Sequence, residues 1–425
     1  MISIGVPAEG KDEPRIGLSP ETAKKLVKAG AKVTVRSGAG LRSHFSDQDY
    51  KDSGATIAKS DADAVANADV VFTVRRPPLS LAKAMKKGAA LVGMLDPFSD
   101  AEGLDALAKT GVTLFAMELM PRITRAQSMD VLSSQSNLAG YKAVVDATAA
   151  FERALPMMMT AAGTVPAARV FIMGVGVAGL QAIATARRLG AIVTATDVRP
   201  AVKEQVASLG AKFIAVEDEE FKQAETSGGY AKEMSDAYKK KQAELIAEHV
   251  KNQDIVITTA LIPGRPAPKL ISKAMIDSMR PGSIVVDLAA ERGGNTELTK
   301  PGEIALHKGV RIFGLLNLAG QVPVNASSLY SRNLQAFIDP FIDKDKKALA
   351  IDWDDELAKG TAIARDGAIV NEMVAERLGG KAAKPARAAG PATKSAPAKS
   401  SVSGRAKTPV KKSGSTRQPK GGKTT

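Results

Sequence analysis

Residues 169–197 form the pattern of a strand, a glycine-rich turn, a helix and a second strand, and this pattern constrains the fold most. Arg169–Met173 is an apolar run typical of a buried strand. Residues 180–189 predict an amphipathic helix, and residues 191–196 predict the next strand. Two strands joined by a helix form a βαβ unit, which is typical of parallel sheets covered by helices on both faces.

Three glycines in the turn carry a more specific prediction. Gly174 would permit the tight bend, Gly176 would let the backbone approach a pyrophosphate, and Gly179 would let the helix pack closely on its strand. Backbone N–H groups at the start of the helix would then bind the phosphates. Three glycines also occur at ordinary tight turns, so the prediction of a dinucleotide site depends on the strands and the helix around them.

An acidic residue follows the second strand. Asp197 stands where a carboxylate would accept both hydroxyls of an adenosine ribose, which favours NAD over NADP. Arg199 lies two residues further on and would suit a 2′-phosphate, so NADP stays open as the alternative at this point.

The positive charge of the chain is concentrated at one end. The formal net charge is +14, but residues 381–425 contain twelve Lys or Arg and no acid, so the rest of the chain carries +2. The tail has no Leu, Ile, Phe, Met, Trp or Tyr and cannot bury enough surface to fold, which predicts disorder. Attachment to an anionic lipid or nucleic acid and a solvated appendage without a partner both fit this composition, and no specific nucleic-acid partner is expected.

Other features of the composition exclude several classes of site. The chain has no cysteine, which removes disulfides, thiolate catalysis and Cys-based metal sites. The first residues lack a basic leader followed by an apolar core, so no signal peptide is predicted. The longest uncharged stretch, residues 312–331, is too polar for a membrane helix, and a soluble protein is expected.

The order of the predicted elements gives a fold class of α/β, with two Rossmann-like doubly wound parallel-sheet domains separated by a cleft. Predicted domains are 1–133, completed by 325–378, then 134–324 with the glycine-rich turn, and a tail at 379–425. The other predicted strands are 2–6, 32–35, 70–74, 90–95, 113–116, 212–216, 254–260, 283–288 and 311–315, and the predicted helices include 20–29, 79–86, 135–155, 242–250, 325–341 and 354–359.

Two polar segments are hard to explain as scaffold. Residues 118–134 join the predicted domains, where polar groups would face the cleft, although a solvated loop with a Ser or Asp helix cap is the alternative. Residues 217–241 form a long charged loop around Gly229 and Tyr230. A lid with Tyr230 as its apolar wedge and a disordered insert are equally compatible with that composition.

Three motifs resemble a known family. They are residues 121–141, which include Arg-Ile-Thr-Arg-Ala-Gln-Ser-Met-Asp, the Gly-Gly-Tyr-Ala-Lys-Glu-Met run at 228–234, and Asp-Leu-Ala-Ala-Glu-Arg-Gly-Gly-Asn at 287–295. Together they are similar to the NAD(H)-binding domain, or alpha subunit, of proton-translocating NAD(P) transhydrogenases. The resemblance covers about residues 1–378.

The resemblance implies functional residues. Arg122, Gln127 and Asp130 would hold the nicotinamide end of NAD(H), and Gln127 would also reach the ribose of NADP(H) on a partner domain. Ser133 would belong to the same catalytic cluster. The nucleotide contacts it implies are Arg122, Ile123, Thr124, Arg125, Gly174, Gly176, Val177, Gly179, Asp197, Val198, Arg199, Gly229, Tyr230, Gln242 and Leu261.

The same resemblance implies an activity and partners. The expected activity is direct hydride transfer between bound NAD(H) and NADP(H) held by a partner, coupled to proton movement across the membrane. The expected assembly is a homodimer that meets an NADP(H)-binding beta subunit and a membrane-embedded proton-channel subunit. The chain would then lie on the cytoplasmic face of the membrane.

Two alternatives come from other functional classes. Alanine dehydrogenases share the two-domain fold and the segment around Arg15, but they need a basic residue for the substrate carboxylate and a histidine acid/base. The corresponding positions here are Arg75 and Asp96. The chain's histidines, expected in surface-like surroundings, do not match the missing one; they are His44, His249 and His307. Amine oxidation needs proton removal and ring-to-ring hydride transfer does not. The other alternative is an NAD-binding regulator without turnover.

Overall fold

A computed structural model describes residues 1–222, 234–262, 264–343, 345–379 and 382. The predicted loop residues Gly229 and Tyr230 lie outside the described residues, as does almost all of the predicted basic tail. Among the residues that are described, no helix is long and apolar enough to cross a membrane.

Strands and helices alternate along most of the chain, as the sequence predicts for an α/β fold. The strands are β1 (Ser3–Val6), β2 (Lys32–Arg36), β3 (Thr56–Ala58), β4 (Val70–Phe72), β5 (Ala90–Gly93), β6 (Thr113–Ala116), β7 (Met158–Thr160), β8 (Gly163–Val165), β9 (Arg169–Met173), β10 (Ile192–Thr196), β11 (Lys212–Phe213), β12 (Ile255–Thr258), β13 (Ile284–Asp287), β14 (Ile304–His307), β15 (Val310–Phe313), β16 (Ile342–Asp343), β17 (Ala348–Leu349), β18 (Ala362–Arg365) and β19 (Ala368–Ile369). The helices are α1 (Pro20–Lys28), α2 (Asp47–Asp52), α3 (Asp61–Val65), α4 (Leu79–Ala84), α5 (Ala101–Ala108), α6 (Val131–Ala150), α7 (Val177–Arg188), α8 (Val202–Ser208), α9 (Glu219–Lys222), α10 (Asp236–Val250), α11 (Lys273–Asp277), α12 (Pro323–Ile338), α13 (Glu356–Thr361) and α14 (Glu372–Arg377).

The first lobe is built on an eight-stranded sheet in the order β19-β18-β6-β5-β4-β1-β2-β3. Its central strands are parallel and buried on both faces, because they are runs of apolar residues without alternation. The edge is antiparallel, since β18 pairs with β6 and β19 pairs with β18. These two strands come from the end of the described chain, and the antiparallel edge differs from the fully parallel sheet that the sequence predicts.

The second lobe is built on a seven-stranded sheet in the order β11-β10-β9-β12-β13-β15-β14. Strand order reverses between β9 and β12, so the carboxyl ends of these two strands flank the point at which ligands bind in such sheets. β14 is antiparallel to β15, and the sequence pattern does not predict it, because its exposed Ile304 and Leu306 lack the fully apolar run of a buried strand.

Helix α12 joins the later part of the chain to the first lobe. Its Tyr330, Leu334 and Phe337 side chains are fully buried in the core that also holds β1, β2 and β4. The Tyr330 hydroxyl donates to the carbonyl of Thr73 at 2.9 Å, at the carboxyl end of β4. The chain thus crosses from the first lobe to the second through α6 and returns through α12.

Helix α6 begins and ends about five residues earlier than the predicted helix 135–155. Asp130 is its N-cap, and its carboxylate accepts the backbone N–H of Ser133 at 2.9 Å. After Ala150, Phe151 has extended backbone angles, and the chain continues into a two-stranded hairpin of β7 and β8 that the sequence pattern does not predict. The early start places the predicted functional residues directly at the beginning of a helix.

Candidate functional site

The glycine turn joins β9 to α7 at the reversal of the second sheet. Gly174 has a φ of 99°, which a side chain would strain, and a Cβ at Gly179 would overlap the carbonyl oxygen of Gly174. A Cβ at Gly176 would meet no heavy atom within 4 Å, so open space adjoins the helix N-terminus there. Gly176 caps α7 without a side-chain hydrogen bond to the first N–H groups. This arrangement fits a pyrophosphate against the amino end of α7.

Asp197 lies beside this turn and forms an ion pair with Arg199. Its carboxylate accepts the backbone N–H of Val175 at 2.7 Å and that of Arg199 at 2.9 Å. The Arg199 guanidinium also donates to both carboxylate oxygens at 2.9 Å. These four hydrogen bonds use the acceptor sites that the sequence pattern assigns to a ribose, so a ribose at Asp197 must displace the guanidinium.

Three exposed apolar residues follow strands at the point where the second sheet reverses. Val177, Val198 and Leu261 follow β9, β10 and β12 in the chain, and Leu261 is 51% exposed. Gln242 donates to Thr196 Oγ1 at 3.1 Å and accepts from the N–H of Val216 at 2.9 Å, so its amide connects the ends of β10 and β11.

The loop between the lobes is short and well packed. A 3-10 helix spans Thr124–Met129, with Ala126 and Met129 buried in the core of the first lobe. Gln127 is exposed between them, and Arg122 is exposed just before them. Asp130 and Ser133 lie next to each other as the cap of α6, with hydrogen bonds from both the N–H and the hydroxyl of Ser133. The structure therefore brings Asp130 and Ser133 together at the start of α6 and leaves Arg122 and Gln127 exposed in the segment before it.

Arg125, a predicted nucleotide contact, forms an ion pair within the chain. Its guanidinium makes two hydrogen bonds to the carboxylate of Asp355, at 2.8 and 2.6 Å. This pair lowers the pKa of Asp355.

Helix α6 connects the loop to the glycine turn. Gly140 of α6 lies against the backbone of Ala178 in the first turn of α7, where a Cβ would overlap the Ala178 carbonyl. The nine residue steps from Val131 to Gly140 rise about 14 Å along the helix. A single helix thus connects the end of the loop that carries Gln127 to the phosphate-binding end of α7.

The segment after β12 has support that no local sequence pattern predicts. Thr259 Oγ1 donates to the carbonyl of Gly174 at 2.9 Å. The side chain of Asn295 accepts the N–H of Ala260 at 3.1 Å and donates to its carbonyl at 2.8 Å. The fully buried carboxylate of Asp287 accepts the N–H of Asn295 at 2.6 Å. The motif at 287–295 stands out in the sequence, but only the fold shows that it holds the chain next to Leu261.

The first lobe contributes a charged cluster at the cleft. Buried Glu13 makes an ion pair with Arg15 at 2.6 Å and with Arg75 at 2.9 Å. Arg15 also donates to Gln135 of α6, and Asn317 of the second lobe donates to Glu13 at 3.1 Å. Burial opposes ionisation of Glu13, but the hydrogen bond and charge of Arg15 together with Arg75 lower its pKa to about 2.

A second contact between the lobes lies nearby. Asp96 has a φ of 46° and pairs with Arg292 of the second lobe at 2.7 Å. Burial alone would raise the pKa of Asp96, but the Arg292 hydrogen bond and charge lower it. Asp96 and Arg75 therefore both belong to ion pairs, and Asp96 does not have the chemistry of the histidine acid/base whose position it takes.

The expectation that all histidines have surface-like surroundings is wrong for His249. Its ring is half-buried, packs edge-on against Phe171 at 4.7 Å and shares a 2.8 Å hydrogen bond with Thr194. Burial lowers its pKa. His307 is paired with Asp277 at 2.5 Å, and His44 is exposed. Helix α10 carries His249, and the contacts of its ring with Phe171 and Thr194 place the ring against β9 and β10.

The models of two domain families match this chain. "Alanine dehydrogenase/PNT, N-terminal domain" covers residues 5–139, and "Alanine dehydrogenase/PNT, C-terminal domain" covers residues 143–372. The chain belongs to the alanine dehydrogenase/PNT family. It is 53% identical over 376 residues to an NAD(P) transhydrogenase subunit alpha of Rhodospirillum rubrum, in a match that covers 87% of this chain and 98% of that protein.

Solved structures of a transhydrogenase and of an alanine dehydrogenase are also similar to this chain. The crystal structure of a transhydrogenase from Sinorhizobium meliloti is 54% identical, with a TM-score of 0.79 over 87% of this chain and 100% of that one. An L-alanine dehydrogenase structure is 26% identical, with a TM-score of 0.72 over 89% and 99% of the two chains. The resemblance and the α/β fold inferred from the sequence are thereby confirmed, and the chain is similar to transhydrogenases at about twice the identity that it shares with this alanine dehydrogenase.

Proposed function

We propose that this chain binds NAD(H) at the glycine turn and exchanges a hydride directly with NADP(H) held by a partner subunit. The main support is that α6 carries the loop with exposed Gln127 at one end and packs by Gly140 on the start of α7. In addition, relatives with about half of their residues identical are named as transhydrogenases.

Each part of the site has a role in this proposal. The amino end of α7, with Gly174, Gly176 and Val177, would hold the pyrophosphate, and Gly179 would keep the helix against its strand. Asp197 with Val198 and Arg199 would bind the adenosine ribose. Gln242 and Leu261 would line the same pocket. Gly229 and Tyr230, in a segment outside the described residues, would close over the nucleotide.

The loop would orient the reacting ring. Arg122, Gln127, Asp130 and Ser133 would lie beside the nicotinamide, with Ile123 and Thr124 completing the contact. When bound, the dihydronicotinamide ring supplies the hydride, so NADH becomes NAD⁺ as NADP⁺ becomes NADPH, and no proton is exchanged with a side chain. The chain's own residues have only to orient the ring and exclude water, which is the kind of catalysis that rigid positioning provides.

The first lobe does not favour an amino-acid dehydrogenase. Such an enzyme needs a free cation for the substrate carboxylate and a group that accepts a proton. Glu13 already pairs with both Arg15 and Arg75, and Asp96 pairs with Arg292.

The assembly is also part of the proposal. We expect a homodimer that docks on an NADP(H)-binding beta subunit and on a membrane-embedded subunit that conducts protons, at the cytoplasmic face. The names of the relatives as subunit alpha support a multi-subunit complex. The hairpin of β7 and β8, with exposed Met158 and Met159, offers a surface for the second copy. Sedimentation equilibrium of the full chain should give twice the monomer mass.

Replacement of Gln127 by Ala tests the proposed site. Because Gln127 would act on ring position and not on affinity, we expect the rate of hydride transfer from NADH to NADP⁺ on the beta subunit to fall about a hundredfold. The dissociation constant of NADH should change less than threefold. The measurements are single-turnover absorbance and equilibrium dialysis. Equal losses in rate and affinity would contradict the assignment.

Two further assays separate the alternative functions. Pyruvate, ammonium and NADH added to the chain should give no NADH oxidation, whereas an alanine dehydrogenase would oxidise it. A regulator without turnover would bind NADH yet fail to reduce NADP⁺ on the beta subunit. Turnover of the wild-type chain in the second assay is therefore the outcome on which the proposal depends.

A further inference from the structure

The loop that carries Gln127 contains a 3-10 helix, an element with little stability of its own. Thr124–Met129 is a 3-10 helix without a side-chain cap at Ile123. Hydrogen-bond geometry in such helices is poorer than in α-helices, and they are stable mostly in short pieces fixed by their surroundings. The position of Gln127 therefore depends on contacts made by its neighbours.

One contact holds the loop two residues before Gln127. The planar guanidinium of Arg125 forms a two-pronged ion pair with Asp355, a geometry that fixes orientation as well as distance. Asp355 is itself fixed, because its carboxylate also accepts the N–H of Leu357 as the N-cap of α13. Its side chain is 17% exposed, whereas that of Arg125 is 47% exposed.

A second contact holds the loop one residue after Gln127. The buried side chain of Asn333 in α12 donates to the carbonyl of Ser128 at 2.7 Å. Its amide oxygen accepts the hydroxyl of Ser134 at 2.7 Å, so the amide cannot turn over without losing both bonds. The buried side chains of Ala126 and Met129 attach the same loop to the core.

From this arrangement we infer that Asp355 and Asn333 are positioning residues for hydride transfer, and that Arg125 acts by pairing with Asp355 and not by touching the nucleotide. The inference rests on the proposed function. It assigns a role to the segment after α12, more than two hundred residues along the chain from the loop. Loss of either the Arg125–Asp355 ion pair or the Asn333 hydrogen bond should let Gln127 move, while the nucleotide pocket around α7 stays intact.

The test uses the full chain with D355N, R125Q, the double variant and N333A. Asn at position 355 keeps the helix cap but loses the charge and the second hydrogen bond. We expect hydride transfer to fall about tenfold in each single variant, because a displacement of about 1 Å is costly to transfer. The dissociation constant of NADH should stay within twofold of the wild type. The double variant should be no slower than either of its single variants, since both remove the same ion pair.

The matched control is D354N. Asp354 is exposed, its carboxylate forms an ion pair with the exposed Lys359 at 3.1 Å, and its replacement should give wild-type rates. Trp353, the single tryptophan of the chain, stacks on Phe115 and lies under the guanidinium of Arg365 at 4.0 Å. Its emission spectrum reports whether the segment that carries Asp355 stays folded. If D355N alters that emission, R125Q decides, because it leaves the α13 cap untouched.

Two results would overturn the inference. One is wild-type transfer by D355N and R125Q. The other is a large rise in the NADH dissociation constant for R125Q alone, which would make Arg125 a nucleotide contact. Failure of the proposed function is distinguishable from both, because then the wild-type chain itself would not transfer hydride.

Discussion

At the scale of single residues, the pair of Asp197 and Arg199 should decide which dinucleotide the site accepts. Asp197→Asn removes the charge that would repel a 2′-phosphate and keeps the cationic guanidinium of Arg199, two residues away, to attract it. Since a charge-assisted hydrogen bond contributes about 1.5–3 kcal/mol, we expect NADP(H) to bind at least about tenfold more tightly. NAD(H) should bind more weakly. Equilibrium dialysis of both nucleotides measures the change.

The double variant with Arg199→Ala is the control for this change. It should lose the gain in NADP(H) affinity, because no cation would remain at the 2′ position. An equal gain in the single and the double variant would show that Arg199 is not the group involved. Asp197 could be predicted from its spacing after the glycines, but its partner could not. Nothing in the sequence says whether an arginine two residues away points toward the carboxylate or away from it.

At the scale of elements, two glycines in the turn between β9 and α7 should have different roles. Substitution of each should separate nucleotide binding from helix packing. Gly176→Ala places a methyl in open space at a φ of −79°, so the free energy of unfolding should stay the same or rise slightly. NADH affinity should fall more than tenfold, because the methyl would occupy the place of the pyrophosphate. Gly179→Ala should cost about 1–3 kcal/mol, since its methyl overlaps the Gly174 carbonyl.

Urea unfolding and NADH titration of both variants make the comparison. Gly10→Ala, at another glycine with open space around its Cβ, is the control and should leave both quantities unchanged. A Gly176→Ala protein that binds NADH normally would argue against the pyrophosphate position. The strands and helices of this region could be predicted because their apolar runs are long. The antiparallel strands β14 and β18 could not be predicted, since β14 has exposed apolar side chains and the buried β18 is only four residues long, so neither carries a clear period.

At the scale of the whole molecule, contacts between distant parts of the chain were the least predictable. Arg125 and Asp355 are separated by 230 residues, and Glu13 and Asn317 by 304. Such pairs arise from the way α6 and α12 connect the lobes, which no local pattern contains. The predicted domain boundaries stay a prediction, although β18 and β19 place the end of the described chain in the first sheet.

The Glu13 cluster makes acid stability a property of this interlobe arrangement. Its folded pKa of about 2 lies below the ordinary value of 4.5, so its stabilising effect is complete above pH 4.5 and is lost as the pH falls toward 2. Glu13→Gln should therefore lower the free energy of unfolding at pH 7 by on the order of 3 kcal/mol. Glu13→Gln should also reduce the fall in the free energy of unfolding between pH 4.5 and 2. Urea unfolding followed by Trp353 emission measures both. Glu102→Gln, at an exposed carboxylate, should retain the wild-type slope. A Glu13→Gln protein with the wild-type slope would mean that Arg15 and Arg75 do not hold this carboxylate ionised.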